Sequence, residues 1–209
     1  AVSGSGQQHG SIYLNGEAAK ALEDLDPSRS LKENLEGVFS RQTSPVWMDS
    51  STTRECSEIC EELGGLGATA EATGSTTFER FTGPQIRKFF KTEPAAYEDT
   101  NHIALVSSFM ASLMAGRIAP IDHGDGAGMN LMDIRTRRWH AGALEATAPG
   151  LEGRLPSLAE SWTCIGPVSP YFAERYELNA NAKALVWSGD NPNSVVGLGL
   201  IREGMVAIS

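Results

Sequence analysis

The sequence predicts an α/β fold in which helices cover a largely buried sheet, and two features of its 209 residues lead to that prediction. Short apolar segments of strand length alternate, in the second half of the chain, with segments whose apolar residues recur at helical spacing. This alternation is typical of layered α/β architectures. With 41% apolar and 21% charged residues, the composition is that of a globular domain long enough to bury a core.

Near the start of the chain, strands are predicted at residues 1–5 and 11–14, on either side of a Gln-Gln-His-Gly turn. Residues 15–44 are polar and acidic, and a turn at Asp26-Pro27-Ser28 is followed by a short helical pattern of Leu31, Leu35 and Val38. A further short apolar strand is predicted at residues 46–48.

Two longer helices are predicted in the middle of the chain from their ends and their apolar spacing. Ser and Thr at residues 50–52 are natural N-caps, and Gly64-Gly65 ends the helix that they open. Gly83-Pro84 opens the next helix, because proline suits a first helical turn, and Glu93-Pro94 stops it. The apolar positions of the two helices are Cys56, Ile59, Cys60 and Leu63, and then Ile86, Phe89 and Phe90.

The second half of the chain alternates between the two types of element. Strands are predicted at residues 103–106, 164–168, 184–187 and 205–208, with a less regular alternation at 129–134. Helices are predicted at residues 108–114, 139–146, 171–176 and 193–200, and residues 116–120 form a break.

Charge and hydropathy exclude two classes of partner. The 17 Lys+Arg and 26 Asp+Glu residues give a formal net charge of −9, whereas a sequence-independent nucleic-acid binder needs a basic face. The longest apolar run, residues 103–114, is interrupted by serines and is shorter than the roughly 20 residues of a membrane span. We therefore expect a soluble protein that binds neither nucleic acid nor membrane.

The three cysteines and the N-terminus indicate a reducing compartment. An odd number of cysteines, with neither an initiator Met nor a charged leader, fits free thiols and a cytoplasmic location. Cys56 and Cys60 lie four residues apart on a predicted helix, but a metal site would need two more ligands and none is local. Two buried thiols are therefore the preferred interpretation, and no metal ligand is predicted.

Three polar clusters lie at predicted strand ends or just before a helix, where open α/β sheets bind ligands. They occupy residues 6–10, 79–84 and 188–192. Taken singly, each has a plainer explanation. Asp190 is more often part of a turn with Asx hydrogen bonds, His9 is as often a structural histidine, and Arg80 is most often a solvated charge. The three clusters together, in this order, carry more information than any one of them.

Four blocks of the sequence resemble the FGGY family of carbohydrate kinases, and within it the xylulokinases of animal type. These blocks are residues 3–13, 45–53, 79–83 and 188–192, and residues 121–131 fit the same pattern. The resemblance covers nearly the whole chain, and the blocks follow the order of the family.

The resemblance implies an actin-like, ribonuclease-H-like kinase fold with a mixed sheet flanked by helices. It implies ATP-dependent phosphorylation of the 5-hydroxyl group of D-xylulose, with Mg²⁺ on the ATP phosphates. Carried over by position, Asp190 corresponds to the catalytic base. The residues implied to contact the sugar are His9, Arg80, Asp190 and Asn191, together with Gln8 and Asp49, which lie in matching blocks.

Family members carry an Asp-x-Gly-Thr phosphate loop before this region and a Gly-Thr turn after it, and this sequence contains neither. We therefore expect residues 1–209 to be part of the N-terminal sugar-binding domain, with an incomplete sheet. On this expectation residues ~185–209 lead toward a nucleotide-binding domain that is absent. The chain alone would then bind no cofactor and show no turnover.

The residue types suit a sugar kinase, and alternatives stay open. A carboxylate such as Asp190 can accept the proton of an attacking hydroxyl group, and each sugar hydroxyl that leaves water needs a hydrogen-bond partner. A related kinase for another ketose, such as ribulose or fuculose, and a sugar-binding domain without catalysis remain alternatives. A dinucleotide-binding enzyme is excluded because no Gly-x-Gly-x-x-Gly follows a strand, and no Walker motif occurs.

Overall fold

Helices enclose a set of short strands in the computed structural model, which describes residues 1–206. The strands are β1 (Ser5–Gly6), β2 (Ser11–Leu14), β3 (His102–Leu105), β4 (Ile121–Asp122), β5 (Met132–Asp133), β6 (Arg138–Trp139), β7 (Leu158–Ala159), β8 (Cys164–Pro167), β9 (Lys183–Leu185) and β10 (Ser188–Gly189). The α-helices are α1 (Ala18–Glu23), α2 (Leu31–Asn34), α3 (Thr53–Glu62), α4 (Leu66–Thr73), α5 (Thr82–Thr92), α6 (Pro94–Glu98), α7 (Val106–Ala115), α8 (His123–Gly126), α9 (Ala141–Thr147), α10 (Pro170–Tyr176) and α11 (Asp190–Gly197).

The strands pair two by two, so the described residues form five ladders rather than one continuous sheet. β1–β10 and β4–β7 are parallel, whereas β2–β3, β5–β6 and β8–β9 are antiparallel. Both kinds of pairing expected of a mixed sheet are therefore present. The parallel β1–β10 ladder joins Ser5 to Ser188 and Gly6 to Gly189, and so brings together two segments from opposite ends of the sequence.

The β2–β3 ladder lies between two layers of helices. Tyr13 of β2 and Leu105 of β3 belong to a core that includes residues of α5, α6 and α9. Leu14, the next residue of β2, belongs to a second core with residues of α1, α7 and α10. Successive side chains of a strand point to opposite faces, so both faces of this ladder are covered. The result is the layered α/β arrangement that the sequence predicts.

Local signals explain where several helices begin and end. Ser30 and Glu33 form a capping box at the start of α2, in which the Glu33 N–H donates to Ser30 Oγ and the Ser30 N–H donates to the Glu33 carboxylate. Pro94 occupies the first turn of α6, where its missing N–H costs nothing. Gly116 ends α7 at a φ of 64°, a conformation that glycine adopts without strain.

Most predicted elements are confirmed, but the strand predicted at residues 46–48 is wrong. The Asp49 N–H donates to the Val46 carbonyl over 2.9 Å, so the chain turns there. Val46, Trp47 and Met48 are all at least half exposed. Three apolar residues are too few to show the alternation that separates a buried strand from an exposed loop.

Other differences concern helices and boundaries. The structure adds α1, α4, α6 and α8, which the sequence does not predict, and α11 begins at Asp190 rather than at residue 193. The strand predicted at residues 1–5 is reduced to β1 and an isolated bridge between Val2 and Ala184. Of the strand predicted at 205–208, residues 205 and 206 form no strand, and the others lie outside the described residues.

Cys56 and Cys60 both lie on the buried face of α3, and burial raises the pKa of the Cys56 thiol to about 11. All three cysteines are free. Within residues 1–206, none of the helices has both the length and the apolar character needed to cross a membrane.

Candidate functional site

The carboxyl ends of β1 and β10 lie side by side because these two strands are parallel. The chain beyond β1 carries Gln8 and His9, and the chain beyond β10 enters α11 with Asp190 and Asn191. Ligands of α/β proteins commonly bind at such strand ends. Two of the three polar clusters in the sequence therefore meet at one edge.

A cleft of about 220 Å³ opens at this edge, smaller than the roughly 300–1,000 Å³ of pockets for drug-sized ligands. Its lining suits a small polar molecule, because all six lining residues carry side chains that can form hydrogen bonds. The lining residues are Gln8, His9, Trp47, Arg80, Asp190 and Asn191. The third polar cluster thus joins the other two through Arg80.

Asp190 is tied to the segment after β1 by its side chain and by the side chain of its neighbour, Asn191. The Gln8 N–H donates to Asp190 Oδ1 over 3.3 Å, and Asn191 Nδ2 donates to Gln8 Oε1 over 2.6 Å. Asp190 is exposed and begins α11, where the free N–H groups of the first turn favour a negative side chain. Asp190 therefore belongs to a helix start and not to an isolated turn.

His9 is buried, with its backbone in the left-handed region at a φ of 67°. Its Nδ1 lies 3.2 Å from the Gly128 carbonyl oxygen, and its ring lies 4.9 Å from that of Phe81. Burial lowers the pKa of His9, and the charge of Arg80 lowers it further. The neutral ring then carries its proton on Nδ1, because a carbonyl oxygen can only accept, and Nε2 remains an acceptor.

Arg80 is half-buried, and aromatic rings hold its guanidinium group. The guanidinium carbon lies 4.4 Å from the centre of the Phe78 ring and 6.0 Å from that of Phe81. Such contacts orient the cation and leave its N–H donors free for a ligand. The preceding residue, Glu79, is fixed through its carbonyl oxygen by Thr52 Oγ1 at 2.6 Å and Gln85 Nε2 at 3.0 Å.

The structure does not bring Asp49 into the cleft. The Asp49 carboxylate accepts hydrogen bonds from the Ser51 hydroxyl and from the Ser51 N–H, the latter over 2.8 Å. Burial opposes ionisation of Asp49, but these hydrogen bonds outweigh it and the net effect is a lowered pKa. A loop carboxylate that binds its own turn in this way is occupied by the backbone.

Trp47 lines the cleft and was not among the predicted site residues. The sequence predicts a strand at this position, in which an aromatic residue would belong to the core. Its side chain is half exposed at the edge of the cleft, beside polar residues. An exposed tryptophan next to hydrogen-bonding groups is a common way of covering the C–H face of a ligand.

A layered α/β domain with a small polar cleft at its parallel strand ends defines a small-molecule-binding domain. The chain belongs to the FGGY family of carbohydrate kinases, because the model of that family's N-terminal domain matches residues 42–197. In residues 1–206, no group of three or more His, Cys, Asp or Glu side chains is arranged to hold a metal ion.

The chain is similar to curated xylulose kinases along its whole length. Xylulose kinase 2 of Arabidopsis thaliana is 54% identical over 209 residues, which are 100% of this chain and 38% of that protein. The xylulose kinase of Rattus norvegicus is 45% identical over 209 residues, which are 100% of this chain and 39% of that protein. The chain thus spans well under half the length of these relatives.

Solved structures confirm the predicted actin-like, ribonuclease-H-like kinase fold. A structure described as a xyloylose kinase from Brucella ovis has a TM-score of 0.77 at 26% identity, over 98% of this chain and 37% of the other. A xylulose kinase from Rhodospirillum rubrum has the same TM-score at 16% identity, over 96% of this chain and 36% of the other, and that likeness concerns the fold alone.

Proposed function

We propose that the whole protein to which this chain belongs phosphorylates the 5-hydroxyl group of D-xylulose with ATP. The observation that carries the proposal is the convergence of Asp190, Arg80 and His9 on one small cleft at the β1–β10 strand ends. The similarity to curated xylulose kinases supports the choice of substrate.

Asp190 serves as the general base in this proposal. The sugar hydroxyl oxygen attacks the γ-phosphorus of ATP, the bond from that phosphorus to the β-phosphate bridging oxygen breaks, and ADP leaves. The hydroxyl proton passes to Asp190, whose second oxygen is not engaged by Gln8. A fixed carboxylate also aims the hydroxyl group, which lowers the entropic part of the barrier.

The other cleft residues supply complementary partners for a polyol. Arg80 offers N–H donors, and neutral His9 offers an acceptor at Nε2. The side-chain hydrogen bond from Asn191 Nδ2 to Gln8 Oε1 leaves Asn191 Oδ1 free to accept a hydrogen bond and Gln8 Nε2 free to donate one. This mixture satisfies several hydroxyl groups at once, and we assign the sugar-binding role to these four residues.

ATP with Mg²⁺ is the proposed phosphoryl donor, and when bound it supplies the transferred group and neutralises its charge. The cleft of about 220 Å³ suits a small ligand such as the sugar. We therefore propose that this chain forms the sugar-binding part of the protein and that residues ~185–209 lead toward a nucleotide-binding domain. The free cysteines accord with a proposed cytoplasmic location.

An assay of ADP release by the whole protein tests the proposal. With D-xylulose as acceptor, Asp190→Asn is expected to lower kcat by about 10²–10⁴-fold, because an amide cannot take up the proton. Sugar affinity should be largely kept, since the amide still forms hydrogen bonds. Asp133→Asn is the matched control, because Asp133 is an aspartate that accepts from the Arg135 and Thr136 N–H groups of its own turn.

Three outcomes would contradict parts of the proposal. A near-normal kcat in the Asp190→Asn variant would show that Asp190 is not the general base. Much faster turnover of D-ribulose than of D-xylulose would support the proposed kinase activity but contradict D-xylulose as its substrate. Sugar binding by the wild-type whole protein with no ATP-dependent turnover of any ketose would support a binding domain without catalysis.

A further inference from the structure

A second aspartate lies beneath the β1–β10 strand ends and has no part in the function proposed above. Asp125 is on the short helix α8, and only 2% of it is exposed. Its Oδ2 accepts a hydrogen bond from the Ser107 hydroxyl group at the start of α7. Its Oδ1 is buried and has no hydrogen-bond partner among the described residues.

Two glycines make room for this pair of side chains. A Cβ atom added to Gly189 would lie 2.7 Å from Asp125 Oδ1, and one added to Gly6 would collide with the Ser107 backbone. Gly6 and Gly189 are register partners in the parallel ladder. The hydrogen-bonded Ser107–Asp125 pair therefore packs directly against the backbone from which Gln8 and Asp190 extend.

We propose that Asp125 is a positioning residue for Asp190: with Ser107 it fills the space beneath Gly6 and Gly189 and holds the two strand ends at the spacing that the Gln8–Asp190 hydrogen bond requires. This inference rests on the proposed function, because it assumes that Asp190 is the general base. Neighbouring Asp122 supports α8 from below, because its Oδ2 accepts from the Asp125 N–H over 3.2 Å and from Ser188 Oγ over 2.5 Å.

The protonation of Asp125 is coupled to the site. Burial raises the pKa of Asp125 to about 7; the charges of Asp122 and Asp190 add to this effect, and the Ser107 hydrogen bond opposes it. Two charged side chains of the described residues lie near Asp125, and both are acidic: Asp122 of β4 and Asp190 of α11. The other neighbouring elements contribute uncharged residues, which are Ser107 of α7 and the glycines of β1 and β10. Among residues 1–206 no cationic side chain forms an ion pair with Asp125.

The charge of Asp125 therefore changes near neutral pH, close enough to the proposed base for the charge of Asp190 to raise the pKa of Asp125. Below about pH 7 the neutral carboxyl group can share its own proton and does not repel Asp190. Above that pH the charged Asp125 carboxylate lies against Gly189 and changes the electrostatic environment of the Gln8–Asp190 hydrogen bond. A group that only filled space would impose no such pH dependence.

The test uses the whole protein with D-xylulose and two substitutions. Asp125→Ala empties the space under Gly189 and is expected to lower kcat about 10–100-fold, since small misplacements of a reacting group cost that much. Asp125→Asn keeps the size and shape of the side chain, so kcat should stay within about threefold of wild type. The change of kcat with pH near 7 should disappear in this variant, because an amide does not titrate there. Thr147→Ala is the control, because Thr147 is fully buried on α9 and does not line the cleft.

A readout that does not need turnover separates this proposal from the proposed function. With isotope-labelled glutamine, the amide signal of Gln8 reports the hydrogen bond to Asp190. We expect that signal to shift with pH near 7 in the wild type and not in Asp125→Asn, and the Gln8 amide to exchange at least about tenfold faster in Asp125→Ala than in Thr147→Ala.

The outcomes separate cleanly. A wild-type protein that phosphorylates no ketose overturns the proposed function, and the Gln8 signal still decides the role of Asp125. An Asp125→Ala variant that keeps the wild-type kcat and the wild-type exchange of the Gln8 amide overturns the positioning role. An Asp125→Asn variant that keeps the Gln8 titration and the kcat step overturns the assignment of that titration to Asp125. If Asp125→Ala does not fold, Ser107→Ala, which removes the hydroxyl group that holds Asp125, takes its place with the same expectation for the Gln8 amide.

Discussion

At the scale of single residues, the site depends on how burial sets protonation and orientation. His9 takes up a left-handed backbone conformation that is uncommon for a residue with a side chain, and Thr82 Oγ1 donates to its carbonyl oxygen over 3.4 Å. Its ring is held by the Gly128 carbonyl and by Phe81. The structure therefore fixes both the direction of the ring and the nitrogen that carries the proton.

The pH dependence of sugar binding tests this arrangement. Because the pKa of His9 is lowered from its ordinary value near 6.5, the ring is neutral at pH 7 and stays so until the pH falls below about 6.5. Protonation then removes the Nε2 acceptor and adds a positive charge beside Arg80. We expect His9 to cause no change in the Kd for D-xylulose between about pH 6.5 and 8, and the Kd to rise about threefold to tenfold once His9 is protonated.

Calorimetric titration at several pH values measures this change. His9→Asn should bind more weakly and lose the pH dependence, whereas His123→Asn should keep it, because His123 lies outside the cleft and faces Glu160. A pH dependence that survived in His9→Asn would show that another group titrates.

At the scale of elements, α3 and α5 are joined by a network of charges around Glu58. The Glu58 carboxylate accepts from Arg54 Nε at 2.8 Å, Arg87 Nε at 2.8 Å and Lys91 Nζ at 2.7 Å. The hydrogen bonds from Lys91 and then Arg87 lower the pKa of Glu58 to about 2, against the opposing effect of burial. These helices matter to the site because Arg80 lies just before α5.

Removing this charge should destabilise the fold in a pH-dependent way. Glu58→Gln is expected to lower the free energy of unfolding at pH 7 by about 1 kcal/mol. Because the folded pKa is depressed, the stabilisation is fully present above the unfolded pKa of about 4.5 and is lost as the pH falls toward 2. Denaturant unfolding of both proteins between pH 7 and pH 2 measures it.

Glu71→Gln is the control for that series, because the Glu71–Arg135 pair is about 70% exposed on both sides and should contribute little. A difference between wild type and Glu58→Gln that stayed constant down to pH 2 would contradict the assignment of the stabilisation to the Glu58 charge.

At the scale of the whole molecule, the cleft is assembled from distant parts of the sequence. Residues 8 and 190, which share a hydrogen bond, are 182 positions apart. The segments that carry them are joined by the β1–β10 ladder and by a core that contains Ala184, with Val2 and Trp187 packed against it. Sugar binding should therefore be a property of the folded chain as a unit.

Residues 1–209 alone are expected to bind D-xylulose without ATP, since all the cleft residues lie within them. Calorimetry should detect that binding, and Arg80→Ala should weaken it by removing the cleft's charged donor, by about tenfold. The same chain with ATP should release no ADP, because the proposal assigns the cleft residues to the sugar and ATP to a nucleotide-binding domain beyond them. ADP release by this chain alone would contradict the proposed division between sugar and nucleotide sites.

Much of the secondary structure was predictable because it follows from local patterns. The strand at residues 11–14 matches β2, and the two helices predicted in the middle of the chain match α3 and α5. Alternation of apolar residues, N-caps, glycine ends and proline starts act over a few residues, so a single sequence contains them. The family was also readable from blocks of residues in order, and the match to residues 42–197 confirms it.

Only the tertiary structure decided which of those residues meet. The sequence placed Asp49 with the sugar, but its carboxylate binds its own turn, and Trp47 from the neighbouring position lines the cleft instead. The sequence matched the block at residues 121–131 to the family but gave Asp125 no role, because that role depends on the closeness of Gly189 and Ser107. The physical reason is that convergence at the site results from the parallel pairing of β1 with β10, a long-range contact that no local pattern encodes.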